Sequence, residues 1–447
     1  MNIRFAVVAA ASAMVALPSW GQGIPVTGAT NITISGLLSV GVKNSQISQG
    51  DSSAAQWAGR SAMPSETHVD DNTSRLIIAS TSKITEGWNV IFRLENRFTP
   101  NTRPGDALLP AGAAPPAGFA VAGATGWADG DTWGGVSSPY GTITVGKTTI
   151  YYTDTISAGY LAPTLEQPGE SYRIWDANGL ASFNLLSGYQ TGTNTGGLGV
   201  LASATNNIMG NTRARNTVRY DSILFKPTGK DLLNFSLVWS KNPAAAQKMW
   251  NPLQNSSTYE GGQTIYGKVL YNGYGFSASA SYLDQKFQGV EDISSTTGLP
   301  NPNLELKAMR LGVSYNWQGL KFGVVYDSTN MKNGINNGTA ILSYSDAKRS
   351  VIEVPVSYSF GDHAVYATYT KADKTSSFAD TGATQMNFVY DYAMTKRAFI
   401  GFYYTTLKNE TNAYYQPFLT GYSPFGGSAI ARGESWRQAG IILNYWF

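Results

Sequence analysis

The chain has 447 residues, of which only 14% are charged, whereas soluble proteins carry about 25%. The low charge accompanies 48 glycines and 26 tyrosines, a composition that indicates many short strands. The chain has no cysteine, which excludes disulfides, zinc–thiolate sites and iron–sulfur clusters. Its 32 basic and 29 acidic side chains nearly balance, which argues against a nucleic-acid partner.

The N-terminus has the pattern of a secretory signal peptide. Residues 1–4 supply the positive charge, residues 5–17 form the apolar region, and Pro18-Ser19-Trp20-Gly21 provides the cleavage context with its small residues Ser19 and Gly21. The apolar stretch is shorter than the roughly 20 residues that span a bilayer as a helix. We therefore expect residues 1–21 to be a cleaved signal peptide and residues 22–447 to form a single domain.

Segments of alternating polarity recur along the rest of the chain. In residues 89–98, apolar Val90 and Phe92 alternate with charged Arg93 and Glu95. Strands of a membrane barrel alternate in this way because one face meets lipid and the other meets water, whereas a helix would mix the two sets. Sixteen candidate strands follow one another, at residues 31–43, 74–81, 88–98, 131–137, 142–147, 213–221, 232–241, 264–272, 274–284, 305–317, 319–328, 346–360, 363–371, 383–394, 397–408 and 435–447.

Short and long connections alternate between these strands. Short turns are predicted at Ser138–Gly141, Asn272–Gly273, Gln318–Gly319, Gly361–Asp362 and Thr395–Lys396, and long polar stretches include residues 44–73, 99–130, 148–212 and 409–434. An even strand number places both termini on one side of an antiparallel barrel. The sequence therefore predicts an all-β, 16-stranded antiparallel transmembrane β-barrel with short periplasmic turns and long extracellular loops. A secreted β-sandwich or propeller is disfavoured, because the pattern contains no second sheet to cover the apolar faces.

The last strand ends on an aromatic residue. Ile441, Leu443, Tyr445 and Phe447 alternate along residues 439–447. This segment resembles the C-terminal strand of outer-membrane proteins, which the barrel-assembly machinery recognises during membrane insertion.

Three further segments resemble the proteobacterial general porins. Residues 390–397 resemble that family's penultimate hairpin, residues 74–78 its second strand, and residues 141–147 the strand that leads into its third loop. The resemblance implies a homotrimer in the outer membrane, in contact with its lipids, with a water-filled channel for passive diffusion of small hydrophilic solutes and ions. In such a trimer the second loop, residues 99–130, could reach a neighbouring subunit.

The resemblance also implies a constriction inside the barrel. Residues 148–211 would form loop three, which folds inward and carries acidic Asp154, Glu166 and Glu170 toward a basic wall. This chain departs from the family at residues 130–131, where Gly-Asp stands in place of a common arginine.

Six arginines are candidates for the basic wall. Val218 and Tyr220 lie on the apolar face of their strand, so alternation assigns the arginines around them to the lumen, and the same reasoning applies to the second and third strands. The candidates are Arg75, Arg93, Arg97, Arg213, Arg215 and Arg219. An excess of inward positive charge predicts a mild preference for anions.

Other functions remain as alternatives. A substrate-selective channel would use the same fold, and an outer-membrane barrel enzyme or a surface receptor or adhesin would use the outer loops. His68 and His363 are the only histidines and lie far apart in the sequence. Because neither has a partner at ligand spacing, we expect no catalytic residues, no metal and no cofactor.

Overall fold

The structure of the chain is a computed structural model. It describes residues 30–51, 65–71, 74–98, 128, 130–150, 199–200, 213–241, 250–251, 256–257, 263–286, 305–336, 344–376, 379–413 and 433–447. Across these ranges, no helix is long and apolar enough to cross a membrane. The predicted signal peptide and nearly all of the loop-three region lie outside the described residues.

Sixteen strands form one antiparallel sheet that closes on itself, which confirms the predicted barrel. Within the described chain they are β1 (Thr30–Ser48), β2 (Arg75–Thr85), β3 (Trp88–Arg97), β4 (Thr132–Ser138), β5 (Gly141–Thr149), β6 (Arg213–Asp221), β7 (Leu232–Lys241), β8 (Gln263–Gly273), β9 (Phe276–Lys286), β10 (Glu305–Trp317), β11 (Leu320–Asn336), β12 (Tyr344–Phe360), β13 (His363–Ala372), β14 (Ala383–Ala393), β15 (Ala398–Asn409) and β16 (Ser435–Trp446). Each of the sixteen predicted segments coincides with one of these strands.

The first strand closes the barrel. The N-terminal part of β1 pairs with β2, and its C-terminal part pairs with β16. Leu37 stands at the junction, because it is aligned with Arg75 on one side and with Trp446 on the other. On its other side, Val40–Ser45 of β1 pairs with the short strand Glu66–Asp71. The C-terminal part of β1 therefore has a neighbour on both sides, as a strand surrounded by lipid requires.

The two faces of the wall differ in polarity. On β9, Ser277, Ser279 and Ser281 are buried on the inner face, whereas Phe276 and Tyr282 are about half exposed on the outer face. Strand residues point alternately to opposite sides, so this pattern gives the barrel a polar interior and an apolar exterior.

Short turns connect the strands at one end of the barrel, where both Thr30 and Phe447 also lie. One predicted turn was wrong. The hairpin between β8 and β9 turns at Tyr274–Gly275, and the predicted Asn272–Gly273 pair ends β8. Tyr274 and Gly275 have φ of 56° and 81°, and two consecutive positive φ angles are typical of the tightest two-residue hairpin turns.

Four short strands lie outside the sixteen. Glu66–Asp71 extends the sheet beside β1, Trp250–Asn251 pairs with Ser256–Ser257, and Gly199–Val200 pairs with β11. They belong to the long connections at the end of the barrel opposite the short turns.

The C-terminal residue is held against β1. Gly36 and Phe447 exchange two backbone hydrogen bonds of 3.1 and 3.2 Å. A Cβ at Gly36 would lie 2.5 Å from the Arg75 carbonyl oxygen and 2.5 Å from Phe447 Cζ, whereas a Cβ at Gly134 would meet nothing nearer than 3.9 Å.

Gly36→Ala is therefore expected to destabilise the barrel by about 1–3 kcal/mol, the usual cost of overpacking, and Gly134→Ala by much less. Urea unfolding in lipid vesicles, followed by tryptophan fluorescence, measures the difference. Equal unfolding midpoints for the two variants would show that Gly36 is not needed for closure.

A carboxylate fixes the turn between β6 and β7. Asp231 Oδ1 accepts hydrogen bonds from the Thr228 backbone amide at 2.8 Å and the Thr228 hydroxyl at 2.9 Å. The backbone hydrogen bond from Thr228 is the main cause that lowers the pKa of Asp231 below its ordinary value of 3.8.

Because the folded pKa is lowered, the charged form of Asp231 stabilises the barrel above pH 3.8, and this contribution is lost as the pH falls through the folded pKa. We expect Asp231→Asn to be less stable than the wild type near neutral pH and the gap to close as the pH falls below 3.8 and through the lowered folded pKa. Urea midpoints measured across that range test this. Asp362→Asn, in another exposed turn, serves as the control, and a gap that does not change with pH would contradict the assignment.

Candidate functional site

A basic cluster lies on the inner wall at β2 and β3. Arg75, Arg93 and Glu95 share the inner face, since they alternate with outward residues such as Phe92. Arg93 Nη2 is 2.9 Å from Glu95 Oε2, and Glu95 is only 2% exposed. The Arg75 guanidinium carbon lies 5.6 Å from the centre of the Trp446 ring, within the usual range of a cation–π contact.

The segment that replaces the family's arginine packs against this cluster. The Glu95 amide donates to the Asp131 carbonyl at 3.0 Å, and the Gly130 amide donates to the Glu95 carbonyl at 3.0 Å. A Cβ at Gly130 would collide with the Glu95 side chain. Glycine at this position thus allows the segment to approach Glu95 closely. Arg97 is aligned with Arg75 across β2 and β3, and its side chain lies outside the described part.

Arg219 lies on the inner face of β6 in a dense polar network. Its Nε and Nη2 each lie 2.7 Å from an oxygen of Asp221, and its Nη1 donates to the Thr149 carbonyl at 2.9 Å. Ser236 Oγ donates to the same Asp221 at 2.5 Å. Two parallel hydrogen bonds hold the guanidinium rigidly, and they bring a negative charge to the wall beside the positive one.

The expectation that Arg215 shares the face of Arg219 is not met. The register between β5 and β6 shifts from Gly146↔Thr217 to Thr148↔Ala214. Arg215 is exposed next to Asn216, whose φ is 52°. Between these two pairs, β6 therefore has one residue more than β5. Such an insertion is a β-bulge, and beyond it the side chains alternate between the two faces in the opposite order. Arg213 is aligned with Thr149 in the shifted register, and its side chain lies outside the described residues.

The predicted acidic residues Asp154, Glu166 and Glu170 lie outside the described residues. One described part of the same connection is Gly199–Val200, which pairs with Ile335–Asn336 at the end of β11. The chain that leaves β5 therefore reaches a strand six positions further round the barrel before it returns to β6.

A buried ion pair lies on the wall far from the β2–β3 cluster. Arg310 on β10 is aligned with Asp327 on β11, its Nε lies 3.0 Å from Asp327 Oδ2, and both side chains are fully buried. The same row continues through Ser281 on β9 to Lys268 on β8. Eight strand positions separate β2 from β10, so the two clusters occupy opposite sides of a sixteen-stranded ring.

The charges on this second wall were not predicted from the sequence. Arg310 stands between outward Met309 and Leu311, so the period of two would have identified it. The same signal applies to the other inward charges that were not predicted, which are Lys43, Lys268, Lys321, Arg349, Asp221, Asp327, Glu353, Asp391 and Glu434.

The C-terminal strand presents its predicted residues to the exterior. Ile441, Leu443, Tyr445 and Phe447 are 39–44% exposed on the outer face of β16 and beyond its end. They belong to the same apolar exterior as Phe276 and Tyr282.

A closed barrel of sixteen strands, apolar outside and lined inside by paired charges and hydroxyls, is the structure of a multi-pass outer-membrane diffusion channel. The sequence model of the Gram-negative porin family matches residues 5–412. The chain belongs to that family.

Solved structures of similar fold agree with the barrel architecture. An anion-selective porin from Comamonas acidovorans has a TM-score of 0.60 at 17% identity, with 94% of this chain and 100% of that chain covered. OmpF of Salmonella typhi, in complex with daunomycin, has a TM-score of 0.51 at 15% identity, with coverages of 93% and 97%. OmpT of Vibrio cholerae in its trimer form has a TM-score of 0.50 at 12% identity, with coverages of 94% and 100%. A search of curated proteins found no match.

The Arg310–Asp327 pair yields a stability prediction. Asp327→Leu leaves a buried guanidinium without this carboxylate and is expected to cost about 3–5 kcal/mol, whereas Arg310→Met with Asp327→Leu removes both charges and is expected to cost less. Urea unfolding of the wild type, both single variants and the double variant measures the coupling. Additive losses would show that the two side chains act independently.

Proposed function

We propose that the protein is a passive general porin with a mild anion preference and no catalytic role. The observation that carries the proposal is the balance of charge on the inner wall. Among the described side chains, eight inward cations face seven inward carboxylates. The cations are Lys43, Arg75, Arg93, Arg219, Lys268, Arg310, Lys321 and Arg349, and the carboxylates are Glu95, Asp131, Asp221, Asp327, Glu353, Asp391 and Glu434.

The distribution of these charges supports diffusion rather than tight binding. Arg93, Arg219 and Arg310 each have a carboxylate within 3.0 Å, so much of the wall charge is compensated locally. A small remaining excess of one sign sets ion preference in a narrow aqueous pore without holding an ion firmly. The Comamonas acidovorans porin is described as anion-selective. We extend that preference to this chain because of its own inward charges, not because of 17% identity.

The proposal includes a constriction and an assembly. Loop three, residues 148–211, would narrow the pore and bring Asp154, Glu166 and Glu170 toward the basic wall. Three subunits would associate, as in the trimer form of Vibrio cholerae OmpT. Export by the signal peptide, residues 1–21, would precede recognition of the Phe447 strand by the barrel-assembly machinery and insertion among outer-membrane lipids.

Neutralising the β2–β3 cluster tests the anion preference. The double variant Arg75→Gln/Arg93→Gln removes two inward cations, so the chloride-to-potassium permeability ratio is expected to fall by about twofold or more. Reversal potentials of single channels in a potassium chloride gradient measure this ratio.

The matched control is Arg437→Gln, which removes an exposed arginine from the outer face of β16. It should leave the ratio unchanged. A wild-type channel that prefers potassium would refute the proposed anion preference, and a protein without conductance would refute the channel itself.

A further inference from the structure

The two halves of the inner wall differ in charge. Strands β8–β12 carry several buried inward charges, which are Lys268, Arg310, Lys321, Asp327, Arg349 and Glu353. On the inward face of β13–β16, Asp391 is the sole charged side chain among the described residues. We call the inward face of β13–β16 the neutral wall. It is the part of the pore lining where hydrogen bonding, rather than charge, determines what a solute contacts.

Amide, hydroxyl and indole groups occupy two adjacent rows of the neutral wall. The rows run from β14 across β15 to β16, and they are Gln385–Leu407–Trp436 and Asn387–Thr405–Gln438. These side chains are all inward and at most 5% exposed. Residues two apart on a strand are separated by about 7 Å, and neighbouring strands by about 4.8 Å. The two rows therefore cover a patch of about 7 by 10 Å, which is the scale of one small solute.

The amide N–H groups of β14 in this patch are engaged by neighbouring hydroxyls. Asn387 Nδ2 donates to Thr368 Oγ1 at 2.8 Å, and Gln385 Nε2 donates to Thr405 Oγ1 at 3.5 Å. The remaining amide atoms, Gln385 Oε1 and Asn387 Oδ1, are buried and have no hydrogen-bond partner among the described residues. Because an amide oxygen can only accept a hydrogen bond, each of these two atoms requires a donor.

Trp436 provides the complementary group at the other end of the patch. Its indole Nε1 is buried and has no partner within the described chain, and an indole N–H can only donate. The patch thus presents two acceptors and one donor, all of them uncharged. A hydroxyl group both donates and accepts, so a molecule with several hydroxyl groups can satisfy all three.

Hydrogen bonds between strands fix the lower edge of the patch. The Tyr403 hydroxyl donates to Gln438 Oε1 at 2.7 Å, and Gln438 Nε2 donates to Ser45 Oγ at 2.7 Å. A Cβ at Gly440 would lie 2.5 Å from Tyr403 Cε1, so the tyrosine ring rests directly on the β16 backbone. These contacts connect β15, β16 and β1. They hold the patch in place before a solute arrives, which lowers the cost of ordering side chains on binding.

We propose that this patch is a saturable binding site for an uncharged polyhydroxylated solute, such as a sugar or a polyol, on its way through the channel. Hydroxyl groups of the solute donate to Gln385 Oε1 and Asn387 Oδ1, and a hydroxyl oxygen accepts from Trp436 Nε1. An ion gains little at this position, because the patch contains no side chain of opposite charge. The inference rests on the channel of the proposed function and not on its anion preference.

Conductance of the full-length protein in planar bilayers tests the site, with D-glucose added to a potassium chloride solution as the probe. In the wild type, the decrease in conductance with glucose concentration is expected to saturate. Gln385→Leu/Asn387→Leu removes both free acceptors and is expected to weaken the apparent affinity for glucose about fivefold or more, because two neutral hydrogen bonds are lost. Its chloride-to-potassium permeability ratio should equal that of the wild type, since no charge is removed.

Two controls accompany this measurement. Asn234→Leu/Asn272→Leu replaces two inward amides on β7 and β8, outside the neutral wall, and should respond to glucose as the wild type does. Triethylene glycol is an uncharged solute of similar size whose inner oxygens donate no hydrogen bond. It should decrease the wild-type conductance without saturation.

Equal glucose titrations of the wild type and the Gln385/Asn387 variant would overturn the proposal, as would an equal loss in both double variants or equal responses to glucose and triethylene glycol. Heat-modifiable migration on gels verifies that each variant is folded. Failure of the channel itself gives a different result, because a wild type without conductance refutes the channel. A wild type that conducts and saturates with glucose but prefers potassium refutes only the anion preference.

Discussion

The structure depends on the need to pair every backbone amide and carbonyl that lies within lipid. Hydrocarbon offers no hydrogen-bond partner, so a strand that crosses it must have a neighbour on both sides. Along its C-terminal part, β1 meets this need by pairing with β16 on one side and with the short strand Glu66–Asp71 on the other, and Leu37 is aligned with both β2 and β16. The Gly36–Phe447 hydrogen bonds complete the seam. The fold is therefore held together by hydrogen bonds between sixteen neighbouring strands rather than by a single hydrophobic core.

Because the sheet is closed, the alternation of side chains along each strand places them in two different environments. Every second residue faces hydrocarbon and every other one faces the lumen, so charges placed at one parity line a pore. The described part of the inner wall contains the ion pairs Arg93–Glu95, Arg219–Asp221 and Arg310–Asp327. These pairs reduce the net electric field in the pore, and they keep the inner wall polar. Any preference for anions or cations would then depend on the small difference between the numbers of inward cations and carboxylates.

The sequence was sufficient for the strands because each one repeats the same two-residue pattern. It was insufficient where local geometry interrupts that pattern. In the hairpin between β8 and β9, backbone conformation rather than residue preference determined that Tyr274–Gly275 forms the turn. At Asn216, one inserted residue separated Arg215 from the face of Arg219. The acidic residues of loop three could be assigned only by resemblance, because an irregular connection has no period from which to infer direction.

Because of this alternation, two adjacent residues of one strand face different environments. Arg349 is 4% exposed on the inner face of β12, and Lys348, one residue earlier, is 61% exposed on the outer face. Both are cations, yet one can influence solutes in the pore and the other can contact only what surrounds the barrel. Sequence composition cannot distinguish them, whereas strand parity does. The pore face and the lipid face can therefore change independently along one strand, since a substitution at either position leaves the other face unaltered.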